Sequence, residues 1–100
     1  MKPGLEFENS SMKLICLAFY ALGNRNVGLF QRVSDGMYIT ARNTSKEANG
    51  FYSWAWGHYF PTLADAEKDY QKRLSKEYNT FRGIFQWITC NLVYGLFYRL

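Results

Sequence analysis

Metal-binding and reactive side chains are scarce in this sequence. Its 100 residues include one histidine, His58, and two cysteines, Cys16 and Cys90, which lie 74 positions apart. Zinc sites require closely spaced pairs of such ligands, and no pair here has that spacing. Gly23 and Gly28 are too few and too badly spaced for a loop that cradles phosphate. We therefore predict that the protein holds no metal and no cofactor.

Acidic residues are fewer than basic ones, and the uncharged C-terminal segment is short for a membrane-spanning helix. The formal net charge is +4, which argues against an acidic surface that mimics DNA. The C-terminal stretch 83–98 has no charged residue between Arg82 and Arg99. As a helix it would span about 24 Å, short of the roughly 30 Å hydrocarbon layer of a bilayer. A membrane-spanning helix is therefore not expected, and peripheral membrane binding through residues 83–100 is kept as an alternative function.

The composition predicts one domain with its own core. Hydrophobic residues make up 48% of the chain and aromatic residues 19%. Aromatic side chains bury large areas, so disorder of the whole chain is excluded. Residues 1–11 are polar and are predicted to be a flexible tail, while residues 12–100 are predicted to form a single α+β domain.

An apolar run over residues 14–23 follows Met12 and Lys13 and resembles the core of a signal peptide. The residues before it include Glu6 and Glu8, whereas a signal peptide begins with positive charge. We therefore expect a cytoplasmic protein. Two buried thiols are the favoured interpretation of Cys16 and Cys90, and a disulfide in an oxidising compartment is the alternative.

Residues 13–60 predict an antiparallel sheet of three or four strands. Residues 13–22 are apolar at odd and even positions alike, as in a central strand buried on both faces, although a helix would also fit. A hairpin is predicted over 27–33 and 37–43, with a three-residue loop at 34–36. In its predicted register Leu29 lies opposite Ala41. One face then carries Phe30, Arg32, Tyr38, Thr40 and Arg42, and the other carries Val27, Leu29, Val33, Met37, Ile39 and Ala41.

A strand rich in aromatic residues is predicted over residues 51–60. Successive side chains of a strand point to opposite faces. The bulky residues stand at even positions: Tyr52, Trp54, Trp56, His58 and Phe60. Three of the odd positions between them hold Ser53, Ala55 and Gly57, a stretch bare enough for another backbone to approach. We expect the helix that follows to pack against the aromatic face.

That helix is predicted over residues 63–78, with Thr62 as its N-cap and Asp65 three residues later. Its charged face is expected to lie in solvent. After a break at Asn79 and Thr80, the apolar segment that follows is predicted to be a second helix or a hairpin that completes the core or mediates self-association. The apolar stripe of the first helix consists of Leu63, Ala66, Tyr70, Leu74 and Tyr78.

Four side chains on one face of the predicted hairpin form the candidate partner-binding site: Phe30, Arg32, Tyr38 and Arg42. Aromatic and arginine side chains are favoured anchors of protein interfaces, so a protein partner is predicted first. The same residue types stack on bases and meet phosphates, so a sequence-tolerant nucleic-acid-binding protein is the alternative. A homo-oligomer built on the C-terminal segment is also compatible with the sequence.

Catalysis has little support in the sequence. His58 is the one candidate acid or base, and a histidine in an aromatic row is typical of a packed residue with one hydrogen-bond partner. We therefore predict that the protein is not an enzyme. A short sheet followed by one charged helix resembles the layout of many small accessory proteins of phages and other mobile elements, which often act by occupying or inhibiting a host protein.

Overall fold

The computed structural model describes the backbone of residues 1–92 and the side chains of residues 1–77. Five antiparallel strands precede one helix, and each strand pairs with its neighbours in sequence to give the order β1-β2-β3-β4-β5. The α+β class is confirmed, with five strands in place of the predicted three or four. The elements are β1 (Glu6–Asn9), β2 (Met12–Leu22), β3 (Arg25–Arg32), β4 (Tyr38–Lys46), β5 (Tyr52–Phe60) and α1 (Leu63–Leu92).

The additional strand lies within the segment predicted to be a flexible tail. β1 pairs with β2, from Glu6 opposite Ile15 to Asn9 opposite Met12. Phe7 is the reason: it is only 6% exposed, and its ring packs edge-on against other aromatic rings of the core. Burial of one large ring stabilises this short strand although the residues around it are polar.

The sheet curls until its first and last strands come together. The side-chain amide of Asn9 in β1 donates a hydrogen bond of 2.6 Å to the carbonyl oxygen of Tyr52 in β5. The side chains enclosed by this curl form what we call the inner cluster, against which Tyr52 and Trp54 also pack. Its buried members are Phe7, Leu14, Cys16, Phe30, Ile39 and Ala41.

Cys16 lies in the inner cluster with 1% of its surface exposed. Burial raises the pKa of its thiol above the usual value. The prediction of a free, buried thiol is thus confirmed for Cys16, and the side chain of Cys90 lies outside those that the structure describes.

Helix α1 packs on the opposite face of the sheet. Ala66 and Tyr70 of the predicted apolar stripe are buried there against Val27 and Leu29. The helix begins as predicted, since the Thr62 hydroxyl accepts the backbone N–H of Asp65 at 3.4 Å.

The helix is longer than predicted. It continues without the expected break at residues 79 and 80 and is described as far as Leu92, so the second helix or hairpin is not confirmed. Residues 93–100 lie outside the described part of the chain. Within that part, no helix has the length and hydropathy needed to cross a bilayer.

The predicted hairpin forms between β3 and β4, but its register differs by one residue. Leu29 pairs with Thr40, and Phe30 pairs with Ile39. The loop is four residues long, because the Arg32 N–H donates to the Met37 carbonyl oxygen at 2.8 Å. A slip of one residue moves every side chain of one strand to the other face. The predicted faces are therefore wrong, and β4 turns its even-numbered residues towards the helix.

Candidate binding groove between strand β5 and helix α1

The four residues predicted to bind a partner do not share a surface. Phe30 is fully buried in the inner cluster, and Tyr38 packs beneath the helix with Val27 and Leu29. Arg32 lies at the end of β3, whereas the side chain of Arg42 reaches the helix and contacts Glu77. The register that separates them depends on the loop between β3 and β4.

The side chain of Arg32 binds Asp35 of the loop that follows β3. Its Nε and Nη2 donate to the two carboxylate oxygens of Asp35 at 2.9 and 2.6 Å. These bonds lower the pKa of Asp35 to about 2, with a further contribution from the backbone N–H of Met37. The guanidinium carbon also lies 5.9 Å from the ring centroid of Tyr59, within the range of a cation–π contact.

A β-bulge in β5 divides the aromatic row. Thr40 pairs with His58, and Arg42 pairs with Ala55, so Ala41 lies opposite both Trp56 and Gly57. The additional residue reverses the alternation along the strand. The predicted single aromatic face is therefore wrong: Tyr52 and Trp54 pack on the inner cluster, while Phe60 packs on the helix side.

Trp56 lies at this bulge, and its side chain projects from the protein surface into solvent. It is 74% exposed, and its backbone has a φ of 55°. This left-handed region is rarely adopted by a bulky residue and costs about 1–3 kcal/mol. The next residue, Gly57, has no room for a side chain, because an added Cβ there would lie 2.7 Å from Nε1 of Trp54.

Two neighbouring cavities run along the seam between β5 and α1. One has a volume of about 310 Å³ and the other about 260 Å³. Asp69 and Lys72 line both, so the two cavities are adjacent. We call them together the α1–β5 groove. Its other lining residues are Phe60, Asp65 and Lys68 at one end, and Arg42, Trp56, His58, Arg73 and Lys76 at the other.

The groove carries an excess of positive charge. Five of its lining residues are lysine or arginine, against two aspartates. Lys68, Lys72 and Lys76 are all exposed and follow each other at four-residue intervals, about 6 Å apart along a helix. They form a cationic wall opposite the aromatic residues of β5.

Asp69 holds the floor of the groove together. Its Oδ2 accepts a hydrogen bond of 2.6 Å from the Thr40 hydroxyl and lies 2.9 Å from Nδ1 of His58. The Arg73 Nε lies 3.3 Å from the same oxygen, as the four-residue spacing of Asp69 and Arg73 allows. Burial alone would raise the pKa of Asp69, but these hydrogen bonds and charges outweigh it and the pKa is lowered.

Arg73 is the buried cation of the groove. It is 8% exposed, and burial lowers the pKa of its guanidinium. Among the described residues its Nη1 has no hydrogen-bond partner. A buried donor without a partner is costly, which makes this atom a candidate contact for an anion that enters the groove.

The second buried charge of α1, Glu77, closes one end of the helix–sheet interface. It accepts from Nη2 of Arg42 at 2.6 Å and from Nη1 of Arg25 at 3.1 Å. Glu77 is only 6% exposed. Together with Arg73 it contradicts the prediction that the charged face of the helix lies in solvent, because the flank of that face next to the sheet is buried.

Sequence reasoning missed most of the groove. The spacing of Lys68, Lys72 and Lys76 is visible in the sequence, but only the structure brings Trp56 and His58 beside them. A glycine inside a strand pattern, Gly57, was the available sign of the bulge. Among the described side chains, no three potential metal ligands lie close enough together to hold an ion.

Comparison of the chain with protein-family models, with curated proteins and with solved structures finds no significant match.

Proposed function

We propose that this chain is a non-enzymatic binding module and that the α1–β5 groove is its partner-binding surface. The partner is an anionic macromolecule, because the groove is lined by five cationic side chains and only two carboxylates. In a cleft lined by one sign of charge, the local potential attracts and orients a partner of the opposite sign.

One observation carries the proposal: a tryptophan that is 74% exposed beside the groove, on a backbone with a φ of 55°. An exposed indole contributes nothing to the core, and its strained backbone costs about 1–3 kcal/mol. Exposed aromatic rings next to arginine and lysine are typical of binding surfaces.

A protein is the partner class predicted first from the sequence, and an acidic protein would use the groove in one specific way. Trp56 would anchor in a pocket of the partner, and an acidic segment would lie along the lysines of α1. Arg42 is the one residue of the predicted hairpin site that also lines the groove. By covering the acidic surface of such a partner, the chain would occupy or inhibit a host protein.

The proposal is tested by charge removal with a matched control. The chain has six lysines, of which Lys68, Lys72 and Lys76 belong to the groove. The control lysines, Lys2, Lys13 and Lys46, are equally exposed on other parts of the molecule. Each set is changed to glutamine, so both triple variants lose the same charge.

Retention on immobilised heparin measures binding to a polyanion. We expect the groove triple variant to elute at clearly lower salt than the control triple variant. Equal elution of the two would show that only net charge matters and would exclude the groove as the binding surface. Circular dichroism of each variant checks that the fold is unchanged.

A further inference from the structure

We propose that the occupant of the α1–β5 groove is an extended single-stranded nucleic acid, bound without strong sequence preference. This inference rests on the proposed function, since it names the partner class of the same groove. It is carried by the cationic side chains of α1 and the aromatic side chains of β5 that line the same seam.

The two walls of the groove differ in chemistry. On α1 the lysines at positions 68, 72 and 76 advance about 6 Å each. On β5 the rings of Trp56, His58 and Phe60 line the same seam, with the bulge between the first two. A ligand with one negative charge and one ring in each repeating unit satisfies both walls, and a polynucleotide is such a ligand.

An acidic protein segment satisfies only one wall. Its carboxylates would meet the lysines, but nothing in such a segment requires a ring at each step opposite Trp56 and His58. Bases stack on aromatic side chains whatever their identity, because each base has a flat π face. Rings and cations together therefore favour nucleic acid over acidic protein.

A single strand fits better than a duplex. Base faces in a duplex are covered by their neighbours, so Trp56 could not stack on them without unstacking the helix.

Arg73 supplies an independent sign of an anion. It lines the same end of the groove as Trp56 and is 8% exposed. Its Nη1 has no partner among the described residues. Nη1 is itself covered, so a phosphate oxygen would satisfy that donor after the guanidinium turns towards the groove. Guanidinium groups bind phosphate with good geometry.

The test measures fluorescence anisotropy of a labelled, mixed-sequence strand of roughly 16 nucleotides, at several salt concentrations, with the full chain. A duplex of the same sequence and a labelled poly-glutamate peptide are the comparison probes. We expect the single strand to bind more tightly than either. In the groove lysine triple variant, the slope of log K against log salt should decrease by about 2, because each lost phosphate contact removes about 0.7. The control lysine triple variant should keep the wild-type slope.

Trp56→Gly tests stacking without harm to the fold. Glycine tolerates a positive φ, so this variant should be at least as stable as the wild type. We expect it to bind the single strand about 5-fold to 100-fold more weakly. Ser10→Gly is the matched control: Ser10 is exposed, has a φ of 54° and lies in the turn between β1 and β2, outside the groove lining, so affinity should not change.

The outcomes separate this inference from the proposed function. Tighter, groove-dependent binding of poly-glutamate would overturn the nucleic-acid inference and leave the binding groove standing. Equal affinity for duplex and single strand, or unchanged affinity in Trp56→Gly, would also overturn it. Failure of all three probes, together with equal heparin elution of the two lysine variants, would refute both.

Discussion

The hydroxyl of Thr40 donates a hydrogen bond of 2.6 Å to Oδ2 of Asp69. Thr40 is fully buried in β4, and Asp69 belongs to the first turns of α1, so this bond joins the sheet to the helix at the floor of the groove. The same carboxylate contacts His58 and Arg73. The positions of the groove walls therefore depend on one carboxylate and its donors.

Thr40→Val should lower the free energy of unfolding by about 2 kcal/mol at pH 7, since it removes a buried hydrogen bond to a charged group and keeps the shape of the side chain. Urea denaturation measures the change. Thr44→Val is the matched control, because Thr44 is also buried but its Oγ1 has no partner among the described residues. That variant should be neutral or slightly more stable.

The effect of Thr40→Val should shrink in acid. The pKa of Asp69 is lowered in the folded state, so its contribution is present above the unfolded value of about 3.9 and is lost as the pH falls below it. The wild type and the variant should therefore converge in stability as the pH falls from about 3.9 through the lower pKa of folded Asp69. A difference that stays undiminished in acid would show that the neutral carboxyl holds the hydroxyl equally well.

Glu77→Ala should destabilise the protein by about 1–3 kcal/mol. Glu77 is 6% exposed, and its removal leaves Arg42 and Arg25 without their carboxylate partner. The cost stays below that of a fully buried pair because the side chains of Arg25 and Arg42 are 55% and 30% exposed. Glu67→Ala, on the exposed side of the same helix, should change stability by no more than about 0.5 kcal/mol.

Gly57→Ala should destabilise by about 1–3 kcal/mol through overpacking. An added methyl group would lie 2.7 Å from Nε1 of Trp54, which is tighter than any ordinary contact. A double variant that also carries Trp54→Leu removes the clashing atom, so the cost of the alanine should largely vanish in that background. If the cost persists, the backbone of the bulge and not the indole is its cause.

Asp35 should titrate unusually low. Its pKa is lowered to about 2 by hydrogen bonds from Arg32 and from the backbone of Met37. Any stabilisation from this pair is complete above the unfolded value near 3.9 and is lost as the pH falls through about 2. NMR titration of the Asp35 carboxyl carbon measures it directly. In Arg32→Gln the midpoint should move back towards the ordinary value.

Local signals in the sequence predicted elements well. The turn residues around Gly23 and Gly36 delimit β2, β3 and β4, and Thr62 starts the helix with the expected N-cap. These features depend on neighbours within a few residues, so local spacing suffices. β1 was not predicted because its residues are mostly polar. Its one buried ring, Phe7, contacts aromatic residues that are distant in sequence.

The candidate site was predicted wrongly for a related reason. The hairpin face of Phe30, Arg32, Tyr38 and Arg42 depended on register, and a loop one residue longer distributes them over different environments. Whether an arginine or glutamate of the helix is exposed depends on what covers it. Arg73 and Glu77 are buried only because the sheet lies against that flank.

The sequence by itself determined where β2 to β5 lie and where the helix begins, since alternation, turn chemistry and helix capping act over a few residues. Only the tertiary structure decided which faces those elements share. A single inserted residue, Trp56, reverses the alternation of β5 and moves its own side chain from a predicted core wall to the rim of a cationic groove. Such a reversal results from cross-strand pairing and packing summed over the whole sheet, and no local pattern records that sum.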